Sequence, residues 1–260
     1  MFTLEHFIWI GLCVVMIAAL TFVSVKFRFS FKTAALIMAG IALCSELMKI
    51  FTHMEAVNSD NPAQGMVIEA TALPFHLCSI LIFAYFYLPF SKEGKLRDFL
   101  TSFSIPVAFI GGTLAILMAT SGTDFAKPYA YQCFVYHAGI LSFAIYLILT
   151  KQVKTGKKEY VQNLVTLAVI AVVMIWVNGA LQTYNTNFFY VVRPPVKGLP
   201  LLNLNHGWYV YFAHLCCLGA FGVTLVHLPS MIADFLRKKK LTGKEERAET
   251  QGEGNSQKVA

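Results

Sequence analysis

The chain has 260 residues, of which 57% are hydrophobic and only 13% are charged. A soluble domain usually carries about 25% charged residues, so this composition excludes an ordinary water-soluble globular protein. The formal net charge of +7 does not indicate a nucleic-acid partner, because the basic residues cluster beside apolar segments and there set membrane topology. The sequence therefore predicts an integral membrane protein that binds no nucleic acid.

Seven apolar stretches follow one another along the chain, and a helix needs about 20 such residues to cross a bilayer. They are residues 7–25, 34–51, 73–90, 99–118, 134–149, 161–181 and 208–231. The first lacks a basic n-region and a small-residue cleavage site, so it is predicted to be a true span. We therefore expect an all-α, polytopic fold in which residues 1–236 form a seven-helix transmembrane domain. Residues 237–260 are polar and basic and predict a disordered cytoplasmic tail.

Lys and Arg are distributed unevenly between the two sets of loops. Seventeen of the 21 follow the first, third, fifth or seventh stretch, whereas the opposite loops hold only Lys127, Arg193 and Lys197. Cytoplasmic loops carry an excess of basic residues. The pattern predicts a multi-pass protein of the cell membrane with its N-terminus outside and its C-terminus in the cytoplasm.

Two further features should shape the bundle. Pro106 lies inside the fourth stretch and predicts a kink there, and the adjacent Gly111–Gly112 pair permits close helix packing. The loop 183–207 is aromatic and rich in proline, and we expect it to lie as a lid on the outer membrane surface.

Polar side chains inside the apolar stretches all fall near one end of them. Threaded in order, they share one level near the outer surface: Glu46, Lys49, His76, Cys78, His137, Asn178, Gln182 and His214. Ionisable residues within a membrane are costly and usually functional. A single layer on several helices predicts one pocket, open to the outer leaflet, that contains a thiol, imidazoles and a carboxylate.

Each of these residues also has a structural interpretation. Glu46 and Lys49 are three residues apart and can pair with each other on one helix face. A cysteine in an apolar helix usually only packs. His76 could cap backbone groups at the interface, and His227, near the inner end of the last stretch, is expected to be interfacial. The six cysteines include no CxxC motif and lie mostly inside spans, so a disulfide framework is not expected.

A cysteine nucleophile needs a base that generates its thiolate. His137 can be that base for Cys78 if the third and fifth spans are neighbours. His76 lies two residues from Cys78, about 200° around a helix, and is the less natural partner. Cys133 and His137, four residues apart, form a rival pair, which we weight lower because Cys133 lies nearer the aqueous edge. No HExxH motif occurs, so a metal site is not expected, and neither is another cofactor.

Three segments resemble a known family in the same order along the chain. They are LPFHLCSI at 73–80, YQCFVYHAG at 131–139 and TNFFYVVRPP at 186–195. Together they resemble YwaF-type integral membrane proteins, which are similar to the eukaryotic ether-phospholipid acyltransferase transmembrane family. In the eukaryotic family a cysteine on the third span and a histidine on the fifth are the proposed catalytic pair. The resemblance implies that Cys78 and His137 hold these roles here.

These observations predict a membrane-embedded lipid acyltransferase. Cys78 is expected to take a fatty acyl group from a phospholipid as a thioester, and His137 to act as base. The remaining polar residues are expected to support the substrate: Glu46, Lys49, His76, Asn178, Gln182 and His214. The acceptor, a lysolipid or an amine, and the oligomeric state are left open by the sequence. The alternatives are a lipid-ester hydrolase, a transporter or small-solute binding protein that uses the same layer, and a non-catalytic sensor.

Overall fold

The computed structural model describes residues 2–57, 65–119, 122–196, 198–199 and 201–256, with backbone alone at 234 and 237–256. The eight helices of this part are α1 (Leu4–Lys26), α2 (Phe31–Thr52), α3 (Leu77–Tyr87), α4 (Lys95–Val107), α5 (Thr113–Met118), α6 (Pro128–Leu149), α7 (Lys157–Ala180) and α8 (Trp208–Ser256). A short antiparallel hairpin of β1 (Met54–Ala56) and β2 (Met66–Ile68) follows α2. The predicted all-α, polytopic class is confirmed.

Among the described residues, six helical segments are long and apolar enough to cross a bilayer, and Leu77–Phe90 forms a shorter apolar helix between the second and third of them. The third apolar stretch of the sequence begins near residue 73, and its helix begins four residues later, at Leu77. Pro74 disfavours helical geometry at the residue before it, and Leu73 is accordingly extended, with ψ of 149°. The helix thus rises only about 21 Å, less than the ~30 Å hydrocarbon core. The orientation in the membrane stays a prediction.

Helix α6 occupies the centre of the bundle. Its most apolar window is 67% buried, against 11% in α7 and in α8. Small residues let neighbours approach closely: a Cβ at Gly139 would lie 3.1 Å from Ile41 of α2. On another face, Trp9 of α1 stacks on Phe134 with ring centroids 4.6 Å apart. Side chains on α6 are therefore held more firmly than those on the peripheral helices.

Helices α4 and α5 form one segment joined by a π-helical turn, Ala108–Gly112. The turn directly follows Pro106, where the sequence predicted a kink. Pro106 has no N–H and cannot bond the carbonyl of Ser102 one turn earlier. The Asn163 Nδ2 of α7 donates to that oxygen instead, at 3.2 Å. Turns of this kind often occur at functional sites, and this one lies beside α3.

His227 is fully buried within the bundle, and its expected level at the membrane interface stays a prediction. Its Nε2 accepts from Asn163 Nδ2 at 3.0 Å, and its Nδ1 donates to the Thr155 carbonyl at 3.0 Å. The two bonds join α8 to α7 and to the loop before α7. The α8 backbone continues through Ser256 and so includes most of the predicted tail, while the domain boundary at residue 236 stays a prediction.

Candidate functional site

Cys78 is the second residue of α3. The chain enters this helix in extended geometry, with ψ of 153° at His76, and no side chain caps the helix start. The first backbone amides of an α-helix have no acceptor within the helix. The amides of Cys78 and Ser79 therefore belong to a positive helix end. The sequence placed Cys78 deeper in its helix, and only the late start of α3 brings it to this end.

The Cys78 side chain is buried, at 9% exposure, between α3, the π-helical turn and α6. Its Sγ lies against Gly111, where an added Cβ would overlap the sulfur. The Tyr136 hydroxyl donates to the Cys78 carbonyl oxygen at 2.7 Å. This bond links the start of α3 to the turn of α6 that contains His137.

The hydrogen bonds of His137 define which of its nitrogens carries the proton. Nδ1 lies 2.6 Å from the carbonyl oxygen of Cys133. A carbonyl oxygen only accepts, so Nδ1 is the donor and the lone pair remains on Nε2. The Nε2 atom of His137 thus carries a lone pair and is chemically able to accept a proton.

The rival pair, Cys133 and His137, is in contact: the Cys133 Sγ lies 3.6 Å from Nδ1. That nitrogen carries the hydrogen donated to the carbonyl and cannot take a second proton from the thiol. In the part of the chain that the structure describes, no hydrogen bond joins the Cys78 thiol to His137. The Tyr136 hydroxyl, which bonds the Cys78 carbonyl oxygen, is the contact that links the start of α3 to the turn of α6 containing His137.

Lys49 pairs with Glu46, which is the structural interpretation that their spacing left open, with 2.7 Å between Nζ and Oε1. Its ammonium also donates to the Ser79 hydroxyl at 3.4 Å. Ser79 follows Cys78, so a buried positive charge from α2 lies close to the start of α3. A neighbouring bond, from Gln132 Nε2 to Ser45 Oγ at 2.7 Å, joins α2 to α6. Three helices are thereby connected by polar contacts around the thiol.

His76 connects this neighbourhood to the loop 182–207. Its ring meets Phe188 edge-to-face with centroids 5.1 Å apart and lies 5.9 Å from the ring of Tyr190. We call Glu46, Lys49, His76, Cys78 and His137 the thiol cluster. His76 is its boundary on the side of the loop.

The other three predicted residues, Asn178, Gln182 and His214, lie at or contact the loop before α8. Asn178 of α7 accepts the Phe188 amide at 2.8 Å and donates to the Phe188 carbonyl at 3.1 Å. His214 of α8 is exposed, and its Nδ1 lies 2.9 Å from the Leu201 carbonyl oxygen. We call Asn178 and His214 the loop anchors. Gln182 is exposed in a short turn at the end of α7. The structure thus divides the predicted layer into two parts.

A sequence model of the TMEM164 family matches residues 1–226. The chain belongs to the TMEM164 family. The match covers the thiol cluster, the loop and most of the membrane-spanning part of α8. No curated protein and no solved structure matches the chain. Membership and the six long apolar helices together show a multi-pass membrane protein.

Two contacts of this TMEM164-family chain were not foreseen from sequence. The Gly111–Gly112 pair predicted helix packing, but not that the Cys78 sulfur fills the space over Gly111. Tyr136 lies within the segment YQCFVYHAG and could have been marked by its place beside His137. Within the described ranges, no group of three His, Cys, Asp or Glu residues could hold a metal ion.

Proposed function

We propose that the chain is a lipid acyltransferase in which Cys78 is the nucleophile and His137 is the base. The observation that carries the proposal is the placement of Cys78 at the start of α3, linked by Tyr136 to the helix that holds His137. The resemblance to YwaF-type proteins and to the ether-phospholipid acyltransferases implies the same two residues. The substrate would be a membrane phospholipid, because the cluster belongs to a bundle surrounded by lipid.

In the first half-reaction, His137 Nε2 takes the proton of the Cys78 thiol as the sulfur attacks the carbonyl carbon of a phospholipid ester. The tetrahedral intermediate collapses when the bond to the glycerol oxygen breaks. The His137 imidazolium then protonates the leaving oxygen, which produces a lysolipid and an acyl-thioester on Cys78. Side chains in unliganded sites often lie farther apart than in the reacting complex, which accommodates the present separation of the two groups.

The oxyanion needs donors fixed at the reacting centre. The first-turn amides of α3 suit this role because they have no acceptor within the helix and lie at its positive end. Lys49 would add a positive charge, partly balanced by Glu46, that favours the phosphate of the substrate. His76 would separate the reacting centre from the loop.

In the second half-reaction, an acceptor replaces the lysolipid. His137 takes a proton from the acceptor hydroxyl or amine as that group attacks the thioester carbon, and the Cys78 sulfur leaves and recovers the proton. A lysolipid or an amine as acceptor makes the protein a transferase. Water in the same position makes it a hydrolase, so the two activities differ only in what reaches the thioester.

The intermediate itself is the sharpest test. Purified protein is mixed with a phospholipid of one defined acyl chain, and its intact mass is measured. We expect a mass increase of one acyl group that neutral hydroxylamine removes and that is absent from Cys78→Ala protein. Adding lysolipid should then discharge the adduct into a new phospholipid, whereas discharge only to free fatty acid identifies a hydrolase. An unmodified protein that leaves the lipid intact would favour the transporter or sensor alternative.

A further inference from the structure

A groove lies between α1, α2 and α6, at the end of the bundle nearest the α1–α2 loop. Its cavity volume is about 240 Å³, and it is lined along α1 by Leu20 and Val23, along α2 by Ala34 and Ile37, and along α6 by Gly139. Gly139 lies about 200° around α6 from His137. The groove is therefore distinct from the proposed catalytic centre.

The polar groups that line the groove are already hydrogen-bonded. Ser24 donates to the Leu20 carbonyl and Ser142 to the Ala138 carbonyl, each at 2.7 Å. The Tyr146 hydroxyl donates to the Phe29 carbonyl at 2.9 Å, which fixes the α1–α2 loop against α6. A ligand in the groove consequently meets an apolar wall, as a hydrocarbon chain requires.

The side of the groove that faces away from the bundle is apolar. Val23 and Ile37 line it and are 39% and 41% exposed. In a chain that spans a membrane, such a side is open to lipid tails. The groove therefore admits an acyl chain laterally without passage through water.

Three basic residues lie at or beside the α1–α2 loop, next along the chain to residues that line this end of the groove. Lys26 ends α1, Arg28 lies in the loop, and Lys32 is in the first turn of α2. All three are exposed, and none forms an ion pair with another described residue. Each lies within three positions of a groove-lining residue. Basic clusters at the ends of transmembrane helices bind anionic lipid headgroups.

We infer that the groove between α1, α2 and α6 binds one acyl chain of an anionic glycerophospholipid, whose phosphate contacts Lys26, Arg28 and Lys32. The apolar wall selects the chain, and the basic residues at its end select the charge of the headgroup. This lipid is a bound component of the fold and differs from the substrate at Cys78. The inference is independent of the proposed acyl transfer.

The test uses the delipidated full-length protein in detergent. Phosphatidylglycerol and phosphatidylcholine with identical acyl chains are titrated, and bound lipid is counted by native mass spectrometry. We expect phosphatidylglycerol to bind more tightly. Changing Lys26, Arg28 and Lys32 to Gln should weaken its binding by roughly fivefold for each basic residue removed. The control, with Lys92, Lys95 and Lys158 changed to Gln, removes the same charge from other loops and should keep the preference.

A second pair of variants tests the groove. Ile37→Trp fills it and should weaken binding of both lipids by about tenfold, since the lost chain contacts amount to roughly two buried methylenes. Leu36→Trp adds the same bulk at an exposed neighbour outside the groove and should bind as the unmodified protein does. Val23→Trp, with Phe22→Trp as its control, repeats the comparison on α1 if Ile37→Trp does not purify as a folded protein.

Equal binding of the two lipids by the unmodified protein would overturn the headgroup assignment. Groove-filling variants that bind phosphatidylglycerol as tightly as their controls would overturn the groove itself. If the Lys26/Arg28/Lys32 variant and the Lys92/Lys95/Lys158 control lost the preference for phosphatidylglycerol equally, net charge alone would explain the binding. That result would also contradict the inference. Acyl-thioester formation on Cys78 is measured on the same variants and should persist in each, which separates this test from that of the proposed function.

Discussion

The thiol cluster and the loop anchors lie at one predicted membrane level, but they do different work. Around Cys78, polar side chains from α2, α3 and α6 converge on the start of one helix and leave the His137 Nε2 lone pair available. On α7 and α8, Asn178 and His214 bond backbone groups of the loop 182–207. The first group joins three helices around a buried thiol, and the second holds a segment of chain in place.

Polar residues at one predicted depth in the membrane need not share one function. A polar residue buried in a membrane protein needs a partner, and backbone carbonyls or amides of a loop supply one as well as a ligand does. Both the oxygen and the nitrogen of the Asn178 side-chain amide form hydrogen bonds with the backbone of Phe188. His137 donates a hydrogen bond to a backbone carbonyl from Nδ1 alone. The two groups are therefore distinguished less by their predicted depth in the membrane than by which polar atoms remain available after the structural hydrogen bonds are made.

The largest expected effect is the loss of acyl transfer when Cys78 or His137 of the thiol cluster is changed. Cys78→Ala should lower acyl transfer by on the order of 1,000-fold or more, because the covalent route is lost, and His137→Ala should be comparable. Cys13, Cys44, Cys216 and Cys217→Ala are the matched controls and should keep most activity. The measurement is acyl transfer between defined lipids in detergent. Full activity of folded Cys78→Ala protein would remove covalent catalysis.

Gly111→Ala tests whether the thiol must occupy its present place. The added Cβ overlaps the Cys78 Sγ, so the sulfur has to move, and a shift of about 1 Å can cost roughly 100-fold in rate. Gly40→Ala is the control, because nothing lies within 4 Å of a Cβ at that helical position. Rates of Cys78 acylation are compared at equal amounts of folded protein. Equal rates for the two variants would show that the location of the sulfur is not critical.

Lys49→Met should destabilise the bundle by about 1–3 kcal/mol, because the Glu46 carboxylate loses its partner. Removal of one partner from a wholly buried pair costs about 3–5 kcal/mol, and these side chains are 11% and 23% exposed. The double variant with Glu46→Gln should recover much of the loss. Unfolding free energies measured for the single and double variants give the coupling. No coupling between the two positions would contradict the ion pair.

Asn178→Leu should lower the local stability of the loop but have little effect on the thiol cluster. It leaves the buried Phe188 amide and carbonyl without partners, which costs about 2 kcal/mol in local stability. Hydrogen exchange at the Phe188 amide should accelerate about 30-fold, while acylation of Cys78 changes by less than tenfold. Isosteric Asn178→Asp keeps the acceptor and should show a smaller acceleration. A loss of acylation as large as that of Gly111→Ala would assign Asn178 to the reacting centre.

The smallest effect is expected at His214. Its ring is exposed and makes one hydrogen bond, to the Leu201 carbonyl. His214→Ala should therefore cost about 0.5–1 kcal/mol and change acyl transfer by less than about twofold. Thermal unfolding and the lipid assay measure the two quantities on one preparation. A substantial loss of activity without loss of stability would instead assign His214 a part in the reaction.

The sequence by itself determined the membrane class, the order of the apolar helices and the residues worth examining. Composition and segment length suffice for these, because a bilayer imposes about 20 apolar residues on every span. The spacing of Glu46 and Lys49 likewise permitted the ion pair that they form. Such features depend on neighbours along one helix and need no knowledge of the fold.

The tertiary structure alone decided where each side chain is directed. Pro74 was visible in the sequence, yet only the fold shows that α3 begins at Leu77 and places Cys78 at its positive end. The space over Gly111 and the partner of Asn178 come from other segments of the chain. Contacts between distant segments follow from how whole helices pack. Local pattern therefore predicted a set of polar residues, and packing divided them between the thiol cluster and the loop anchors.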